Sequence, residues 1–280
     1  MKLVRFGELG KEKPGALDAS GTIRDVSSLV ADYSPGTIGP DLSARLAGTD
    51  LDALPRAPAG VRIGAPLSRP GHFIAIGLNY ADHAAETGAA IPAEPIVFSK
   101  APSCLSGPND DVLLPRGSVK SDWEVELAVV IGRRCDYVEE KDALSHVFGY
   151  ALCNDVSERE YQVERGGQWI KGKSAPTFGP LGPWLVTADE IADPQALDMF
   201  LDLNGERVQT GNSSTMIFTV AQIVSYLSRF MALEPGDVIT TGTPPGVGMG
   251  MKPQRFLKDG DEMRLGIAGL GEQRQKVVAR

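Results

Sequence analysis

The sequence predicts a mainly β fold of the α+β class in a chain of 280 residues. Three observations support this prediction. Short β-branched runs recur along the chain, one segment alone has the apolar spacing of a clear amphipathic helix, and βαβ repeats are few. A chain of this length forms one large domain or one domain with a small appendage, and a hydrophobic content of 42% is sufficient for a substantial core.

Residues 1–66 differ in pattern from the rest of the chain. They contain short strand-like runs (KLVRF and TIRDV), a weak helix over residues 41–47 and many turn residues, and prolines punctuate their end. No side chain in this stretch suggests chemistry. We therefore expect a small structural N-terminal domain over residues 1–66 and a main domain over residues 67–280.

After residue 67 we expect mostly strands, with few helices between them. The sequence TVAQIVSYLSRFMAL is the clearest helix, with apolar residues that include Phe230 at helical spacing. Asn204-Gly205 is a strong signal for a β-hairpin over residues 197–210. The remaining predicted elements are strands at 73–77, 95–99, 124–131, 147–155, 184–187, 262–267 and 273–278, and a short helix at 79–88.

Three carboxylates occur where ordinary packing gives no reason for them. Side chains alternate across a strand, so Glu124 and Glu126 share one face of the predicted strand 124–131, and that face is apolar further along. Asp155 ends the strand-like run VFGYALCND. Buried like charges are costly unless a cation joins them, and carboxylate oxygens suit Mg²⁺ or Mn²⁺. The alternative is a solvated strand edge, with Asp155 as the cap of a following helix.

Two further pairs of residues are candidates for chemistry. His83 and Glu86 are three apart on one predicted helix, so the carboxylate can orient an imidazole that acts as a general base; a surface ion pair is the alternative. Arg159 and Gln162 follow Asp155 by four and seven residues, which is one and two helical turns. An arginine at this place suits a substrate carboxylate.

Composition argues against several classes of function. The formal net charge of −8 argues against a protein that binds a nucleic-acid backbone. The N-terminus lacks the apolar core of a signal peptide and no run approaches transmembrane length, so we expect a cytoplasmic protein without a membrane partner. Cys104, Cys135 and Cys153 have no metal-like spacing and are expected to be reduced thiols.

Five sequence blocks, in this order, resemble the fumarylacetoacetate hydrolase superfamily: GLNYADHAAE, WEVELAVVIG, NDVSEREYQ, KGKSAPTFGPLGPW and TGTPPGVG. The resemblance covers roughly residue 74 to the C-terminus. It implies a mixed β-sandwich roll with a small N-terminal domain, and a homodimer. It also implies a metal ion held by Glu124, Glu126 and Asp155, with Mg²⁺ expected and Mn²⁺ or Ca²⁺ as alternatives.

The resemblance also implies roles for single residues. His83 with Glu86 would activate a water molecule, Lys173 would stabilise a developing enolate or oxyanion, and Thr243 with its backbone would hold the substrate carboxylate. Lys100 is interpreted as a surface lysine, with a contact to substrate as the alternative. Relatives usually read SARD where this chain has SERE, and many have an aspartate before Thr-Phe where this chain has Ala-Pro. These departures weaken any substrate assignment that is transferred from relatives.

Together these residues predict a Mg²⁺-dependent hydrolase that cleaves the C–C bond of a 2,4-dioxo acid to pyruvate and a second acid. The substrate is expected to be an acylpyruvate or a 2,4-diketo-3-deoxy sugar acid. By resemblance, the C-terminal blocks TMIFTVAQIVSYLSRFM and GLGEQRQ favour the sugar-acid type. Decarboxylation of oxaloacetate, isomerisation of 2-hydroxyhepta-2,4-diene-1,7-dioate and ureidoglycolate cleavage on the same metal site stay open.

Overall fold

The computed structural model describes residues 1–82, 86 and 90–280, and this part of the chain is mainly β. Its α-helices are α1 Pro40–Ala47, α2 Glu140–Ala143, α3 Ile170–Lys173 and α4 Val220–Leu227. Its strands are β1 Lys2–Phe6, β2 Lys13–Leu17, β3 Ile23–Asp25, β4 Ile63–Gly64, β5 Phe73–Gly77, β6 Ile96–Ser99, β7 Leu105–Ser106, β8 Val112–Leu114, β9 Ser121–Asp122, β10 Val125–Ile131, β11 Val147–Asn154, β12 Ser157–Glu158, β13 Gly179–Pro180, β14 Leu185–Thr187, β15 Asp198–Leu203, β16 Glu206–Asn212, β17 Val238–Thr240, β18 Glu262–Ile267 and β19 Gly271–Ala279. The predicted fold class is confirmed.

Two sheets contain most of the strands that the structure describes. One has ten strands in the order β3-β2-β1-β14-β11-β10-β17-β5-β6, with β4 also paired to β1, and the other has the order β16-β15-β18-β19-β8. Leu127 and Leu152 of the first sheet belong to the same hydrophobic cluster as Leu201 and Leu265 of the second. Because β17 and β5 run parallel within an otherwise antiparallel sheet, the larger sheet is mixed.

The strands of residues 1–66 extend the ten-stranded sheet. β1 is antiparallel to β14, with Lys2 opposite Val186, and it also pairs antiparallel with β2 and β4. The weak helix expected at 41–47 is present as α1. The domain boundary at residue 66 stays a prediction, because the sheet passes from one side of it to the other.

The predicted hairpin and helix are present, with one correction. Asn204 and Gly205 have φ values of 53° and 80° and join β15 to β16, as expected for a two-residue turn that needs positive φ at both positions. Thr219 and Gln222 form a capping box at the start of α4. The helix ends at Leu227, earlier than predicted, because the chain turns to pair Leu233 with Cys135, and Phe230 is left 66% exposed.

The candidate metal ligands lie at the centre of the larger sheet. Every residue of β10 and β11 is buried. This explains why β10 is apolar on both of its faces. The three cysteines are buried and free of disulfide bonds, as expected. In the described part of the chain, no helix combines the length and the apolar character that crossing a bilayer requires.

Candidate active site

The register of two central strands brings the three predicted metal ligands together. Val125 of β10 lies opposite Asn154 of β11, so Glu124 and Asp155 form the next pair outward, and the Asp155 N–H donates to the Glu124 carbonyl oxygen at 2.9 Å. Glu126 shares its strand face with Glu124. One carboxylate oxygen of each of the three residues lies within 4.8 Å of the others, and all three residues are buried.

This donor set fits a hard divalent cation. Carboxylate oxygens are the ligands that Mg²⁺ and Mn²⁺ prefer. Oxygens that share one Mg²⁺ lie at most about 4.2 Å apart, because each Mg–O distance is about 2.1 Å. The observed spread of up to 4.8 Å therefore needs only a small contraction of side chains to hold one ion.

Two buried lysines bond to the same carboxylates. Lys173 Nζ donates to Glu124 Oε2 at 2.7 Å and to Asp155 Oδ2 at 2.8 Å. Lys100 Nζ donates to Asp155 Oδ1 and to the carbonyl oxygen of Lys173. Burial lowers the pKa of Lys100, but the charge and hydrogen bond of Asp155, together with Cys104 and Cys153, more than offset this, so the pKa is raised above its ordinary value.

The interpretation of Lys100 as a surface lysine is therefore wrong. The backbone N–H of Lys100 donates to the carbonyl oxygen of Phe73 at 2.7 Å. This bond continues the pairing of β5 with β6 into the buried end of the sheet. The strand before it is part exposed along its length, so the sequence alone gave no indication that the residue after it is buried. Lys173, in contrast, is buried beside two of the predicted metal ligands, Glu124 and Asp155.

Glu126 is the predicted ligand whose negative charge the described residues compensate least. The N–H of Gly242 donates to its Oε2 at 2.9 Å. Burial, together with the charges of Asp155 and Glu124, raises the pKa of Glu126 well above its usual range, and Lys173 offsets only part of this effect. A divalent cation would remove the mutual repulsion of the three carboxylates.

Arg159 joins this cluster through two ion pairs. Its Nε donates to Asp122 Oδ2 at 2.8 Å, and its Nη1 lies 2.7 Å from Glu124 Oε1 and donates to Gln162 Oε1 at 3.0 Å. Burial lowers the pKa of the guanidinium, but Asp122 and Glu124 more than offset this, so its pKa is raised. Within the described structure, its buried Nη2 has no hydrogen-bond partner. One donor group is thus left for a ligand oxygen.

The route from Asp155 to Arg159 and Gln162 differs from the predicted helix. The chain first forms β12, which pairs with β9, and then a π-helical turn over Glu160–Glu164. Such turns occur often at functional sites. The two predicted substrate-binding side chains reach the cluster through this turn, and simple helical spacing does not describe their placement.

Asp122 is a site residue that the sequence argument missed. It is buried. Its carboxylate accepts hydrogen bonds from Arg159 and also from the backbone N–H groups of Trp123, Gly248 and Met249, the latter three at 2.7–3.0 Å. It therefore ties the guanidinium to the Gly/Pro loop that follows β17. The signal was available, since Asp122 precedes Glu124 by two residues and continues the alternation of acidic side chains.

The Gly/Pro loop, residues 241–250, has backbone N–H groups that donate hydrogen bonds to carboxylates of the protein itself. Gly246 N–H donates to both oxygens of Glu86, at 3.0 and 3.1 Å. The Thr243 hydroxyl donates to the carbonyl oxygen of Val125 and accepts from Gln209 Nε2, so its hydrogen is already used within the protein. His83, and with it the predicted contact between His83 and Glu86, lies outside the described residues.

A cavity of about 210 Å³ opens over this cluster. It has two parts of different chemistry, which we name the charged floor and the apolar wall. The floor is Glu124, Glu126, Arg159 and Lys173, all buried, and the wall is Leu78, Phe98, Val163, Trp169 and Met249, all at least part exposed. Gln162 and Thr243 also line the cavity. The predicted metal-binding, substrate-binding and lysine residues thus meet at one place.

Comparisons with known proteins point to one family for this chain. The family described as Fumarylacetoacetate (FAA) hydrolase C-terminal matches residues 72–278. A protein of Burkholderia cenocepacia (strain HI2424), which carries the general name hydrolase without a substrate, is 59% identical over 277 residues, which are 99% of this chain and 98% of the relative. A fumarylacetoacetate hydrolase structure from Exiguobacterium antarcticum is 38% identical with a TM-score of 0.86, and all of both chains is covered.

Two other similar structures carry names of different reactions. Maleylpyruvate hydrolase from Sphingobium sp. SYK-6, in complex with manganese(II) and pyruvate, is 32% identical with a TM-score of 0.83. The 2-hydroxyhepta-2,4-diene-1,7-dioate isomerase from Mycobacterium marinum is 32% identical with a TM-score of 0.78. Each match covers 100% of this chain and 99% of the other. With a family match over most of its length and these relatives, the chain belongs to the fumarylacetoacetate hydrolase family.

Proposed function

We propose that this protein is a divalent-metal-dependent hydrolase that cleaves the C3–C4 bond of a 2,4-dioxo acid to pyruvate and a second acid. The observation that carries this proposal is the buried cluster in which Glu124, Glu126 and Asp155 meet Lys173 beneath a cavity. The similar maleylpyruvate hydrolase, in complex with manganese(II) and pyruvate, supports it.

A divalent cation held by Glu124, Glu126 and Asp155 would supply Lewis acidity toward the oxygens of the 2-oxo acid. We propose Mg²⁺ as this ion, with Mn²⁺ or Ca²⁺ as alternatives. The Lys173 ammonium lies against two of these carboxylates, so it is placed to donate a hydrogen bond to the oxygen that gains negative charge as the C–C bond breaks.

We assign the substrate carboxylate to the hydrogen-bond donors of Arg159 and Gln162. Arg159 retains an unpartnered Nη2, and the Gln162 oxygen already accepts from Arg159. The guanidinium and the amide nitrogen of Gln162 therefore form one pair of donors that suits a carboxylate. Because the Thr243 hydroxyl is engaged with Val125, any substrate contact from Thr243 falls to its backbone.

Hydrolysis needs a base for water, and we propose His83, with Glu86 as its positioning residue. The base takes a proton from water, and the resulting hydroxide adds to the C4 carbonyl carbon. The C3–C4 bond then breaks, its electron pair stays on C3 as an enolate, and C3 takes up a proton to give pyruvate. Replacing His83 with alanine is expected to slow hydrolysis about 10²–10⁴-fold while metal binding is kept. Loss of metal binding would reassign His83 as a ligand.

An isomerase of hydroxy-dienedioates is the second candidate, because a similar structure carries that name. This reaction removes the proton of the 2-hydroxyl group and adds a proton to a carbon of the diene, and it needs no attacking water. It can therefore proceed with the cluster and Lys173 alone.

One substrate panel separates these candidates. It contains acylpyruvates, a 2,4-diketo-3-deoxy sugar acid, oxaloacetate, 2-hydroxyhepta-2,4-diene-1,7-dioate and ureidoglycolate, each followed by NMR with added Mg²⁺ or Mn²⁺. We expect pyruvate and a partner acid from a 2,4-dioxo acid, and no turnover after treatment with EDTA. Full activity without metal would contradict the proposal, as would carbon dioxide release from oxaloacetate or isomerisation that outruns every cleavage.

The homodimer and the cytoplasmic location are proposed from the resemblance and from composition. Light scattering coupled to size-exclusion chromatography tests the first of these, and a monomer of about 30 kDa would overturn it.

A further inference from the structure

The two parts of the cavity require different chemistry from the two ends of a ligand. The floor is buried and charged, whereas the wall is apolar and opens toward solvent, with Val163 46% exposed. A ligand whose polar head lies on the floor therefore places its other end against the wall. This reasoning rests on the function proposed above, in which the 2-oxo acid group is the head.

The wall contains an aromatic pair that the backbone is shaped to accommodate. The rings of Phe98 and Trp169 lie with centroids 5.2 Å apart at an interplanar angle of 59°. A Cβ added at Gly77 would lie 2.5 Å from Trp169 Cζ3, so the close approach of the indole to β5 requires glycine at this position. Lys173 Nζ lies 5.3 Å from the Phe98 ring centroid. The aromatic pair thus begins beside the reacting end of the cavity.

The described residues that line the cavity offer no cation for a second carboxylate. The two basic residues among them are Arg159 and Lys173, and each is already paired with two carboxylates of the site. A carboxylate against Phe98 and Trp169 would lose its hydration without gaining a counterion, which is costly. The hydroxyl groups of a sugar acid would lose hydrogen bonds to water in the same place.

We propose that the substrate is a 2,4-dioxo acid with an apolar alkyl or aryl tail, and that Trp169 with Phe98 determines this specificity. The aromatic pair takes the group attached to C4, while the floor binds the 2-oxo acid head. This tail differs from the sugar-acid tail that the C-terminal sequence blocks favoured, and from the second carboxylate of the dienedioates.

The first test compares cleavage of 2,4-dioxo acids that differ in the tail alone: methyl, n-butyl, phenyl, carboxyethyl and trihydroxypropyl. We expect kcat/KM for the phenyl and butyl tails to exceed that for methyl about tenfold, the effect of removing about 60 Å² of apolar surface from water at about 25 cal/mol per Å². The carboxyethyl and trihydroxypropyl tails are expected to fall below methyl. The reverse order, with cleavage intact, would overturn the tail inference and leave the proposed reaction standing.

The second test measures binding without turnover. Calorimetry with Mn²⁺-loaded protein compares 2-oxobutanoate, 2-oxo-4-phenylbutanoate and 2-oxoglutarate, none of which has a 4-oxo group to be attacked. We expect the phenyl compound to bind about tenfold more tightly than 2-oxobutanoate and 2-oxoglutarate to bind most weakly. This order without cleavage of any dioxo acid would overturn the proposed reaction and support the tail inference. Tightest binding of 2-oxoglutarate would overturn the tail inference.

Variants assign the preference to the aromatic pair. Trp169→Ala is expected to reduce the phenyl-to-methyl ratio of both kcat/KM and affinity toward one, and Trp169→Phe to retain most of it. Trp184→Phe is the matched control, because Trp184 does not line the cavity and packs beside Gly271. An unchanged ratio in folded Trp169→Ala, or an equal loss in Trp184→Phe, would overturn the role of Trp169.

Discussion

Two ionic clusters of this protein each pair a buried arginine with a buried aspartate, and they differ in how completely their charges are paired. Near the N-terminus, Arg24 Nε donates to Asp18 Oδ2 at 2.6 Å, and its other nitrogens donate to Asp52 and to the Leu54 carbonyl oxygen. The second oxygen of Asp18 accepts from the backbone and hydroxyl of Ser20. The hydrogen bond from Ser20, with further ones that include Arg24, holds the pKa of Asp18 well below its ordinary value, although burial opposes this shift.

The cluster under the cavity is paired incompletely. The guanidinium of Arg159 keeps a nitrogen without a partner in the described structure, and the pKa of Glu126 is raised rather than lowered. Among the residues that the structure describes, four buried carboxylates of this cluster meet three buried cations, namely Asp122, Glu124, Glu126 and Asp155 with Lys100, Arg159 and Lys173. Burial of charge is therefore common to both clusters, whereas an unmatched charge beside a cavity marks the one that can take up a cation and a ligand.

The largest expected effect comes from Glu126→Gln, which replaces one carboxylate of the cavity cluster, a proposed metal ligand, by a neutral amide. Affinity for Mn²⁺ measured by calorimetry should fall more than about 100-fold, since losing a residue that only orients a ligand already costs 10–100-fold. Activity should be lost with it. The matched change at the other cluster is Asp18→Asn, which should leave Mn²⁺ affinity unaltered. Equal Mn²⁺ affinity in wild type and Glu126→Gln would remove Glu126 from the site.

A smaller effect is expected when a buried cation is replaced, and it should differ between Lys173 of the cavity cluster and Arg24 of the N-terminal cluster. Lys173→Met should lower kcat by about 10²–10³, the usual cost of removing one donor to a developing charge, while Mn²⁺ affinity is kept or increased. Affinity is kept because the lysine competes with a cation for Glu124 and Asp155. Arg24→Met should instead lower the free energy of unfolding and leave kcat per folded molecule unchanged. Weakened metal binding in Lys173→Met would show that the lysine orients the ligands.

The smallest effect is a pH dependence that belongs to the N-terminal cluster. The pKa of Asp18 is lowered in the folded protein, so its contribution to stability is present above the ordinary aspartate pKa of about 4 and is lost as the pH falls below it. The melting temperature of wild type should therefore decline more steeply between about pH 5 and pH 2 than that of Asp18→Asn. Parallel curves for the two proteins would show that Asp18 adds nothing.

The sequence was informative wherever local patterns decide structure. Alternation placed Glu124 and Glu126 on one strand face, and Asn204-Gly205 specified the hairpin, because both features depend on adjacent residues. Asp155 could be assigned to a strand end for the same reason. These local rules, with the family resemblance, were sufficient for the fold class and for the three carboxylates.

The remaining features of the site depend on contacts between distant segments. Lys100 reaches Asp155 only because β6 pairs with β5, which lies next to β17 in the sheet, and sequence spacing does not encode that order. Asp122 gains its role from the backbone of Gly248 and Met249 far along the chain. The end of α4 was misplaced because the pairing of Leu233 with Cys135 overrides helical periodicity.

Hydrolysis in ¹⁸O-water tests the central claim most directly, because the claim is that water attacks the C4 carbonyl of a 2,4-dioxo acid over the carboxylate cluster. Wild-type protein with Mg²⁺ is incubated with a phenyl-tailed and a methyl-tailed substrate, and the products are analysed by ¹³C NMR and mass spectrometry. The account predicts one ¹⁸O atom in the new carboxylate of the partner acid, at the rate at which pyruvate forms. Pyruvate without a labelled partner acid, or conversion of the substrate without cleavage, would contradict it.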